Sequence, residues 1–229
     1  MIKHFFFDLD RTLWDFEKNS HSTLNELFIF FNLCELGIEK SEDFISKYKI
    51  HNERLWILYR DNKITKEQLR SERFLLTLKD YGINDPVLAN KIGLRYIAQS
   101  PIKKNLFPYT NEILTYLKSK YTLHIITNGF EEVQHLKLKH SNINHYFNTI
   151  TTSEQVGCKK PNKKIFLHAL KKANANANES IMIGDDIEAD ILGAEAVGMQ
   201  AIYFNPKKIL KNQNNVNEIN CLTQLKELF

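Results

Sequence analysis

The sequence is poor in cysteine, and the cysteines that it has lie far apart. Only Cys34, Cys158 and Cys221 occur among 229 residues, and no two of them form a C-x-x-C pair. Three distant cysteines do not make a disulfide framework, so a reducing compartment is the simplest interpretation. We therefore expect the protein to be cytoplasmic.

Long hydrophobic runs are also missing. The longest apolar stretch in the first half, around Leu27 to Phe31, falls far short of the ~18 residues that a membrane span requires. The N-terminal MIKHFFF is interrupted by Asp8, Asp10 and Asp15 before the ~7–15-residue core of a signal peptide could form. We expect neither a membrane partner nor export.

A strong excess of charge is absent as well. The 31 Lys+Arg and 27 Asp+Glu residues leave a net charge of +4, and the basic residues are scattered rather than interleaved with aromatic residues. A nucleic-acid polymer is therefore not an expected partner. None of the eight histidines occurs in an H-E-x-x-H pattern, so we expect no zinc site. Nothing in the sequence indicates an obligatory protein partner.

What the sequence does contain is the pattern of a globular α/β protein. Its 43% hydrophobic and 25% charged residues exclude a disordered or fibrous chain. Short apolar runs alternate with helical segments, which predicts βαβ units and a parallel sheet with helices on both faces. The asparagine-rich stretch from Asn212 to Asn220 predicts a surface loop. The predicted strands are residues 3–7, Thr122–Thr127, Phe147–Thr152, Ser180–Gly184 and Gln200–Phe204.

Residues 16–100 interrupt this alternation. They contain no convincing strand and several amphipathic helical patterns, one of them introduced by a capping box at Thr65 and Gln68. A connection of roughly 85 residues is far longer than an ordinary βα loop of ~2–6 residues, so we predict a separate all-helical insertion. The α/β core then consists of residues 1–15 and 101–229.

Two carboxylates follow the first predicted strand. In open α/β sheets, ligands bind beyond the carboxyl ends of the strands, and Asp8 and Asp10 stand there with Leu9 between them. On extended backbone this spacing directs both carboxylates to the same side. Two carboxylates held together require a cation or a shared proton. The alternative is a turn in which an Asp and a Thr cap a helix.

Two further motifs supply groups that bind anions. Thr127, Asn128 and Gly129 follow a predicted strand and open a helix, where backbone N–H groups and the helix dipole favour an anion. A simple helix cap is the alternative. Lys160 stands directly before a proline, which extends its backbone, and it can place a positive charge beside a phosphate. The alternative here is a solvated lysine on a surface loop.

The last motif is a group of acids after the strand Ser180–Gly184. Four acidic residues occur in six positions, from Asp185 to Asp190. Oxygen ligands in such number suit a hard cation, which for phosphate chemistry is Mg²⁺. Asp190 lies one turn into the next helix, where it supports the site rather than binding the metal. The alternative is a set of helix N-terminal acids favoured by the helix dipole.

Together these motifs resemble those of the haloacid dehalogenase superfamily of phosphohydrolases, over essentially the whole chain. DLDRTL is similar to the first motif of that superfamily, ITN to the second, KKP to the third and IGDDIEAD to the fourth. The resemblance implies a Rossmann-like core with a helical cap inserted after the first strand. It also implies that Asp8 attacks phosphorus, that Asp10 acts as general acid and then base, and that Asp8, the Asp10 carbonyl and Asp185 hold Mg²⁺.

The same resemblance implies roles for the remaining motif residues. Thr127 and Lys160 would bind the phosphate oxygens with help from Asn128, and Asp190 would hold Lys160 in place. Arg11 stands where the superfamily most often has glycine, so we expect it to touch the substrate or the cap.

Short matches favour one branch of the superfamily. The segments Trp14-Asp15-Phe16, His51-Asn52-x-x-Leu55-Trp56 and Leu69-Arg70-x-x-Arg73-Phe74 are similar to those of bacterial pyrimidine 5′-nucleotidases. This implies a small phosphomonoester substrate, a nucleoside monophosphate, and makes Trp14 a candidate for stacking on its base.

Several alternatives remain open at this point. A phosphatase of a small sugar phosphate or a glycolate-type phosphate would use the same residues. A phosphosugar mutase shares all four motifs and differs in keeping the phosphoenzyme from water. A dehalogenase would need neither Asp10 nor Asp185. A receiver-like phosphoacceptor module, which is not an enzyme, would lack the helical insertion and the acid pair at the first strand.

Overall fold

Six strands form a single parallel sheet in the part of the chain that the structure describes, residues 1–209 and 216–229 of a computed structural model. The strands are β1 (His4–Phe7), β2 (Thr122–Thr127), β3 (Thr149–Thr152), β4 (Ser180–Gly184), β5 (Gln200–Phe204) and β6 (Glu218–Ile219). Their order across the sheet is β3-β2-β1-β4-β5-β6. The α/β class with a parallel sheet, expected from the sequence, is confirmed. The predicted loop at Asn212 to Asn220 lies partly outside the described residues.

The chain divides into two compact units. The α/β unit consists of Met1–Phe16 and Lys104–Phe229, and the helical unit consists of Glu17–Lys103. The helical unit therefore interrupts the α/β unit directly after the first strand and its following loop.

The two faces of the sheet carry separate apolar cores. Phe5 and Phe7 of β1 pack in one buried cluster with Ile183 of β4, whereas Phe6 packs in a second cluster with Met182. All three phenylalanines are fully buried. Successive strand residues point to opposite faces, and each large side chain buried in this way contributes about 1.5–3 kcal/mol. The run FFF thus fills both faces of the central strand.

Helices account for most of the remaining described residues. Those of the helical region are α1 (Phe16–Phe30), α2 (Ser41–Arg60), α3 (Lys66–Lys79) and α4 (Pro86–Gln99). Those around the sheet are α5 (Thr110–Lys118), α6 (Glu131–His140), α7 (Ser153–Val156), α8 (Lys163–Ala173), α9 (Gly193–Glu195) and α10 (Leu225–Leu228), with a π-helical segment at Ile187–Leu192. Among the described residues, no helix has both the length and the hydropathy to cross a membrane.

The start of α3 shows how the sequence determines a local boundary. The Thr65 side chain accepts a hydrogen bond from the Gln68 backbone N–H at 3.2 Å, and the Gln68 side chain accepts one from the Thr65 backbone N–H at 2.8 Å. Two otherwise unpaired helix donors are satisfied reciprocally. The predicted capping box is confirmed.

Aromatic rings from three helices meet in the core of the helical unit. Tyr48 lies with its ring centroid 5.0 Å from that of Phe74 and 5.7 Å from that of Tyr96. The guanidinium of Arg73 is buried beside them, 4.8 Å from the Tyr96 ring, and donates to Asn52 at 3.1 Å. The helical unit therefore has an apolar core of its own that includes a buried cation.

Residues 13–15, where the chain leaves the α/β unit, lie beside residues 105–107, where it returns. We call these two paired segments the neck. The backbone N–H of Asp15 donates to the carbonyl of Asn105 at 3.0 Å, and that of Phe107 donates to the carbonyl of Leu13 at 2.9 Å. Trp14 and Leu106 form an antiparallel bridge between these two segments. The outgoing and returning segments are thus joined by backbone hydrogen bonds.

Candidate active site

The polar motifs meet at the carboxyl ends of the three adjacent strands β1, β2 and β4. Asp8 follows β1 directly, Thr127 ends β2, and Asp185 follows β4. The Asp8 backbone N–H donates to the Ile183 carbonyl at 2.9 Å, so strand pairing continues to the residue that carries the first carboxylate. Parallel strands bring their carboxyl ends to one edge of the sheet, where open α/β sheets bind ligands.

Lys160 connects two of the carboxylates. Its ammonium donates to Oδ1 of Asp8 at 2.6 Å, to Oδ1 of Asp190 at 2.6 Å and to the carbonyl of Ile126 at 2.9 Å. Lys160 is only 2% exposed, so these charge-assisted hydrogen bonds lie out of water. All three donors of the ammonium are used.

Asp8, Asp185 and Asp190 form an acid cluster in which one carboxylate oxygen of each residue lies within 4.8 Å of one oxygen of each of the others. Asp190 has both oxygens engaged, because Oδ1 accepts from Lys160 and Oδ2 accepts from the Asp186 backbone N–H at 3.1 Å. Within residues 1–209 and 216–229, the Asp185 side chain accepts one long hydrogen bond of 3.5 Å, from Thr12. Asp8 and Asp185 therefore retain oxygen atoms that could bind a hard cation, whereas Asp190 holds Lys160.

Burial and mutual repulsion shape the electrostatics of the site. Burial raises the pKa of Asp8 to about 7, against the opposing effect of the Lys160 ammonium. Burial also raises the pKa of Asp185 well above its usual range, and the charges of Asp8 and Asp190 raise it further. Burial lowers the pKa of Lys160, but the carboxylates of Asp190 and Asp8 outweigh it and the net shift is upward. A divalent cation would relieve this crowding of negative charge.

Asp10 lies in a different hydrogen-bond environment from Asp8. Its Oδ1 accepts from the ammonium of Lys137 at 2.5 Å, and its Oδ2 accepts from the amide of Gln134 at 3.0 Å. Its side chain retains 25% exposure, whereas that of Asp8 retains 10%. The two acids of the first motif thus differ in partners and in contact with water.

Thr127 and Asn128 have distinct partners. The Thr127 hydroxyl accepts from the Gly129 backbone N–H at 3.1 Å and donates to Gln134 at 3.3 Å. The Asn128 side chain donates to the Lys160 carbonyl at 3.0 Å and accepts from the Lys160 backbone N–H at 2.7 Å. Asn128 therefore fixes the backbone that carries Lys160, and both of its polar side-chain atoms are used for this.

The remaining acids of the fourth motif cap a helical segment. The Asp186 carboxylate accepts hydrogen bonds from the backbone N–H groups of Glu188 and Ala189 at 2.9 and 3.0 Å. Glu188 is exposed. Gly184 leaves no room for a side chain, because a Cβ there would lie 2.2 Å from Oδ2 of Asp190. Glycine at this position allows Asp190 to approach the strand end.

The expectation that Trp14 stacks on a base requires correction. Trp14 is fully buried, and the ammonium of Lys137 lies 4.2 Å from its ring centroid. A ring with no exposed surface offers no face to a ligand. Arg11 remains partly exposed, with a backbone φ of 64° and its guanidinium 4.6 Å from the Phe16 ring. Glycine adopts this left-handed conformation without strain, which explains why the superfamily most often has glycine at the position of Arg11.

Sequence reasoning missed three residues that the structure brings to the site: Thr12, Gln134 and Lys137. Gln134 and Lys137 lie three residues apart on α6, so they share one face of the helix that begins after β2. The signal in the sequence is weak: two polar residues at this spacing on a helix that follows a motif strand.

Comparisons with known proteins agree with this geometry. A family model described as haloacid dehalogenase-like hydrolase matches residues 2–198. The chain is 32% identical over 203 residues to pyrimidine 5′-nucleotidase YjjG of Escherichia coli (strain K12), covering 87% of this chain and 84% of that protein. It is 32% identical over 242 residues to glyceraldehyde 3-phosphate phosphatase of Methanothermobacter thermautotrophicus, covering 100% of both.

A solved structure extends the similarity to three dimensions. The crystal structure of the HAD-hydrolase YfnB from Bacillus subtilis, bound to magnesium, matches with a TM-score of 0.88 and 26% identity. The match covers 99% of this chain and 98% of that chain.

Proposed function

Because the chain belongs to the haloacid dehalogenase-like hydrolase family and is a phosphoric monoester hydrolase, we propose that it acts through a phosphorylated Asp8, with Mg²⁺ as cofactor and nucleoside 5′-monophosphates as substrates. The observation that carries this proposal is the placement of the Asp8 carboxylate beside Lys160 and Asp185 at the strand ends. A cytoplasmic location is part of the proposal and is supported by the three free cysteines.

In the first displacement, an oxygen of Asp8 attacks phosphorus and the bond from phosphorus to the ester oxygen breaks. Lys160 holds Oδ1 of Asp8, while Oδ2 accepts no hydrogen bond from the described residues, which leaves it available for attack. Asp10 gives its proton to the departing ester oxygen, so the leaving group departs as a neutral alcohol.

In the second displacement, water attacks the phosphoryl group on Asp8. Asp10, now a carboxylate, takes the proton from that water, and the bond between phosphorus and the Asp8 oxygen breaks. Inorganic phosphate and the original Asp8 and Asp10 are regenerated. Dividing hydrolysis into two displacements allows one acid–base residue to serve both halves.

The residues present fit a magnesium ion. Asp8, the backbone carbonyl of Asp10 and Asp185 would hold it, and all three supply the hard oxygen ligands that Mg²⁺ prefers. When bound, it would neutralise charge as one anion attacks another. Asp190 stays with Lys160, because both of its oxygens already accept hydrogen bonds.

We propose that the Thr127 hydroxyl binds a phosphoryl oxygen, and that Lys160, whose three donors already have partners, acts on the phosphoryl group through its positive charge. The Thr127 hydroxyl can turn from Gln134 to a phosphoryl oxygen by rotation about one bond. Lys160 supplies positive charge next to the attacked phosphorus. Asn128 serves indirectly, by fixing the backbone of Lys160.

We further propose that residues 16–100 act as the cap of the family and select the substrate. The similarity to pyrimidine 5′-nucleotidase YjjG supports a nucleoside monophosphate. A second candidate substrate is a small sugar phosphate, supported by the full-length similarity to a glyceraldehyde 3-phosphate phosphatase. Both candidates use the same chemistry and differ in the leaving group.

The test is phosphate release from pyrimidine and purine monophosphates, sugar phosphates and p-nitrophenyl phosphate, with Mg²⁺ or with EDTA. We expect Mg²⁺-dependent release that is fastest with pyrimidine monophosphates, and none from Asp8→Asn, which keeps the shape of the side chain but removes the nucleophile. Release from sugar phosphates alone would overturn the nucleotide assignment and leave the chemistry intact. Activity of Asp8→Asn within tenfold of the wild type, or no release from any ester, would overturn the mechanism.

A further inference from the structure

Two buried side chains of α6 hold the carboxylate of Asp10, one on each oxygen. Nζ of Lys137 donates to Oδ1 of Asp10 at 2.5 Å, and Nε2 of Gln134 donates to Oδ2 of Asp10 at 3.0 Å. Lys137 is 4% exposed and Gln134 is 1% exposed. Charged and amide side chains are seldom buried this fully unless they have specific partners. We call this pair of side chains the Asp10 cradle.

Lys137 also lies close to two aromatic rings. Its ammonium lies 4.2 Å from the Trp14 ring centroid and 5.8 Å from that of Phe16. A cation facing an aromatic ring is attracted by it, and the attraction grows when water is excluded. The ammonium therefore has an aromatic partner in Trp14 as well as an anionic one in Asp10.

Gln134 connects Asp10 to the residue that we assign to a phosphoryl oxygen. Its Oε1 accepts from the Thr127 hydroxyl at 3.3 Å while its Nε2 donates to Asp10. The opposite amide orientation would set an oxygen against the carboxylate, so Asp10 fixes the orientation of the amide. Gly129 leaves room for the Gln134 amide, because a Cβ at position 129 would lie 2.0 Å from Nε2 of Gln134.

We propose that Gln134 and Lys137 are positioning residues that orient Asp10 and take up the negative charge that develops on its carboxylate as its proton passes to the leaving group. The inference rests on the function proposed above. Donors already aimed at the oxygens where charge develops stabilise a transition state without further rearrangement. The cradle matters most when the leaving group needs that proton, and least when the departing oxygen is already a stable anion.

The experiment compares Lys137→Met and Gln134→Leu with the wild type on two esters. One is the best nucleoside monophosphate, whose alcohol is a poor leaving group, and the other is p-nitrophenyl phosphate. The ratio kcat/KM includes the steps through transfer of phosphorus to Asp8. We expect kcat/KM to fall at least about tenfold for the nucleotide and less than about threefold for the nitrophenyl ester, with Asp10→Asn showing the same pattern.

Matched variants separate positioning from folding. Lys139 is exposed on the same helix, so Lys139→Met should leave both ratios unchanged. Lys137→Arg keeps the positive charge and should restore the nucleotide ratio to within about threefold of the wild type. Thermal unfolding is measured for every variant. If Gln134→Leu does not fold, Gln134→Glu replaces it, since it keeps the size of the side chain but faces Asp10 with an oxygen.

If kcat/KM falls equally for the two esters, or does not fall for the nucleotide, the proposed role of the Asp10 cradle is wrong, while the phosphatase mechanism still stands. A wild-type protein that releases no phosphate from either ester would instead overturn the proposed function. The two failures are therefore distinguishable.

Discussion

At the scale of single residues, two glycines determine how closely buried polar side chains of the candidate site can approach the sheet. A Cβ on Gly184 would lie 2.2 Å from Asp190, and a Cβ on Gly129 would lie 2.0 Å from Gln134. Real Cβ atoms do not tolerate such distances, so each glycine reserves space for one buried polar side chain. The absence of a side chain at these positions is a requirement of the site.

Gly184→Ala should therefore damage activity and stability together. The new methyl group displaces Asp190, and Lys160 then loses one of its two carboxylate partners. We expect destabilisation of about 1–3 kcal/mol, typical of overpacking, and at least a tenfold loss of kcat. Urea unfolding and phosphate release measure the two effects.

Gly82→Ala is the control for a loss of stability without a change in the site. Gly82 has a φ of +76° and open space around its Cβ position in the helical unit. Its substitution costs about 1 kcal/mol of strain and should leave kcat unchanged.

Full activity of Gly184→Ala would show that Asp190 need not be held at its observed position.

At the scale of elements, a pair of histidines joins β1 to β2 inside the sheet. Nε2 of His124 lies 3.1 Å from Nδ1 of His4, and Nδ1 of His124 lies 2.8 Å from the hydroxyl of Thr149 on β3. His124 is 1% exposed. Burial, with a smaller contribution from the neighbouring His4, lowers the pKa of His124 to about 4. Three adjacent strands therefore share a chain of polar contacts, and burial favours the neutral form of the His124 at its centre.

Stability due to His124 should be lost as the pH falls. Between the unfolded pKa of about 6.5 and the folded value of about 4, the unfolded chain binds more protons, so acid favours unfolding. The full difference amounts to up to about 3 kcal/mol. Asp8 and Asp185 have raised pKa values, so their protonation stabilises the folded protein as the pH falls and opposes the effect of His124. The effect of His124 is therefore measured as the difference in unfolding free energy between the wild type and His124→Asn.

That difference should shrink from pH 7 to pH 4. His168 is exposed, so His168→Asn provides the control and should show no pH-dependent difference. A constant difference for His124→Asn over this range would refute the assignment of a neutral, buried His124.

The capping box at the start of α3 gives a second prediction for an element. Thr65→Ala removes the acceptor for the Gln68 backbone N–H and should lower the stability of the helical unit by about 1 kcal/mol. Thr65→Ser keeps the oxygen and should lose much less. Urea denaturation monitored by circular dichroism measures both variants, and equal losses would show that the cap contributes nothing.

At the scale of the whole molecule, the acid cluster and the helical core lie in different units. A ligand that binds only the folded protein stabilises it by about 2.7 kcal/mol at a hundredfold excess over Kd. We expect Mg²⁺ to raise the unfolding temperature of the wild type and to slow hydrogen exchange around Asp8 and Asp185. Exchange in the core of α2–α4 should respond less.

Asp185→Asn provides the matched control for that measurement, because it retains the shape of a candidate ligand and removes its charge. Calorimetry with Mg²⁺ and with EDTA should show a shift in the wild type and little in the variant. An equal shift in both proteins would place the ion elsewhere.

The sequence predicts the strands better than it predicts the interior of the site. Alternation and apolar runs suffice for the five longer strands, but β6 has only two residues and carries no periodic signal. Asp8 and Asp185 are foreseeable because strand ends converge in any parallel sheet, whereas Lys160 lies in the loop between α7 and α8 and is foreseeable from its motif. The cradle is not, because Gln134 and Lys137 meet Asp10 across 124 and 127 residues through the packing of α6. Lys137 of the same helix also lies against the ring of Trp14, the residue that the sequence offers as a candidate for stacking on a base.

The neck has a consequence for how such proteins change over evolutionary time. Backbone hydrogen bonds between Leu13–Asp15 and Asn105–Phe107 close the α/β unit without using any residue of the inserted segment. Doubling the length of a flexible loop costs only about 0.6 kcal/mol of closure entropy. Recombination can therefore exchange, lengthen or shorten the inserted segment between these residues while the strand order and the carboxylates at the strand ends are inherited unchanged.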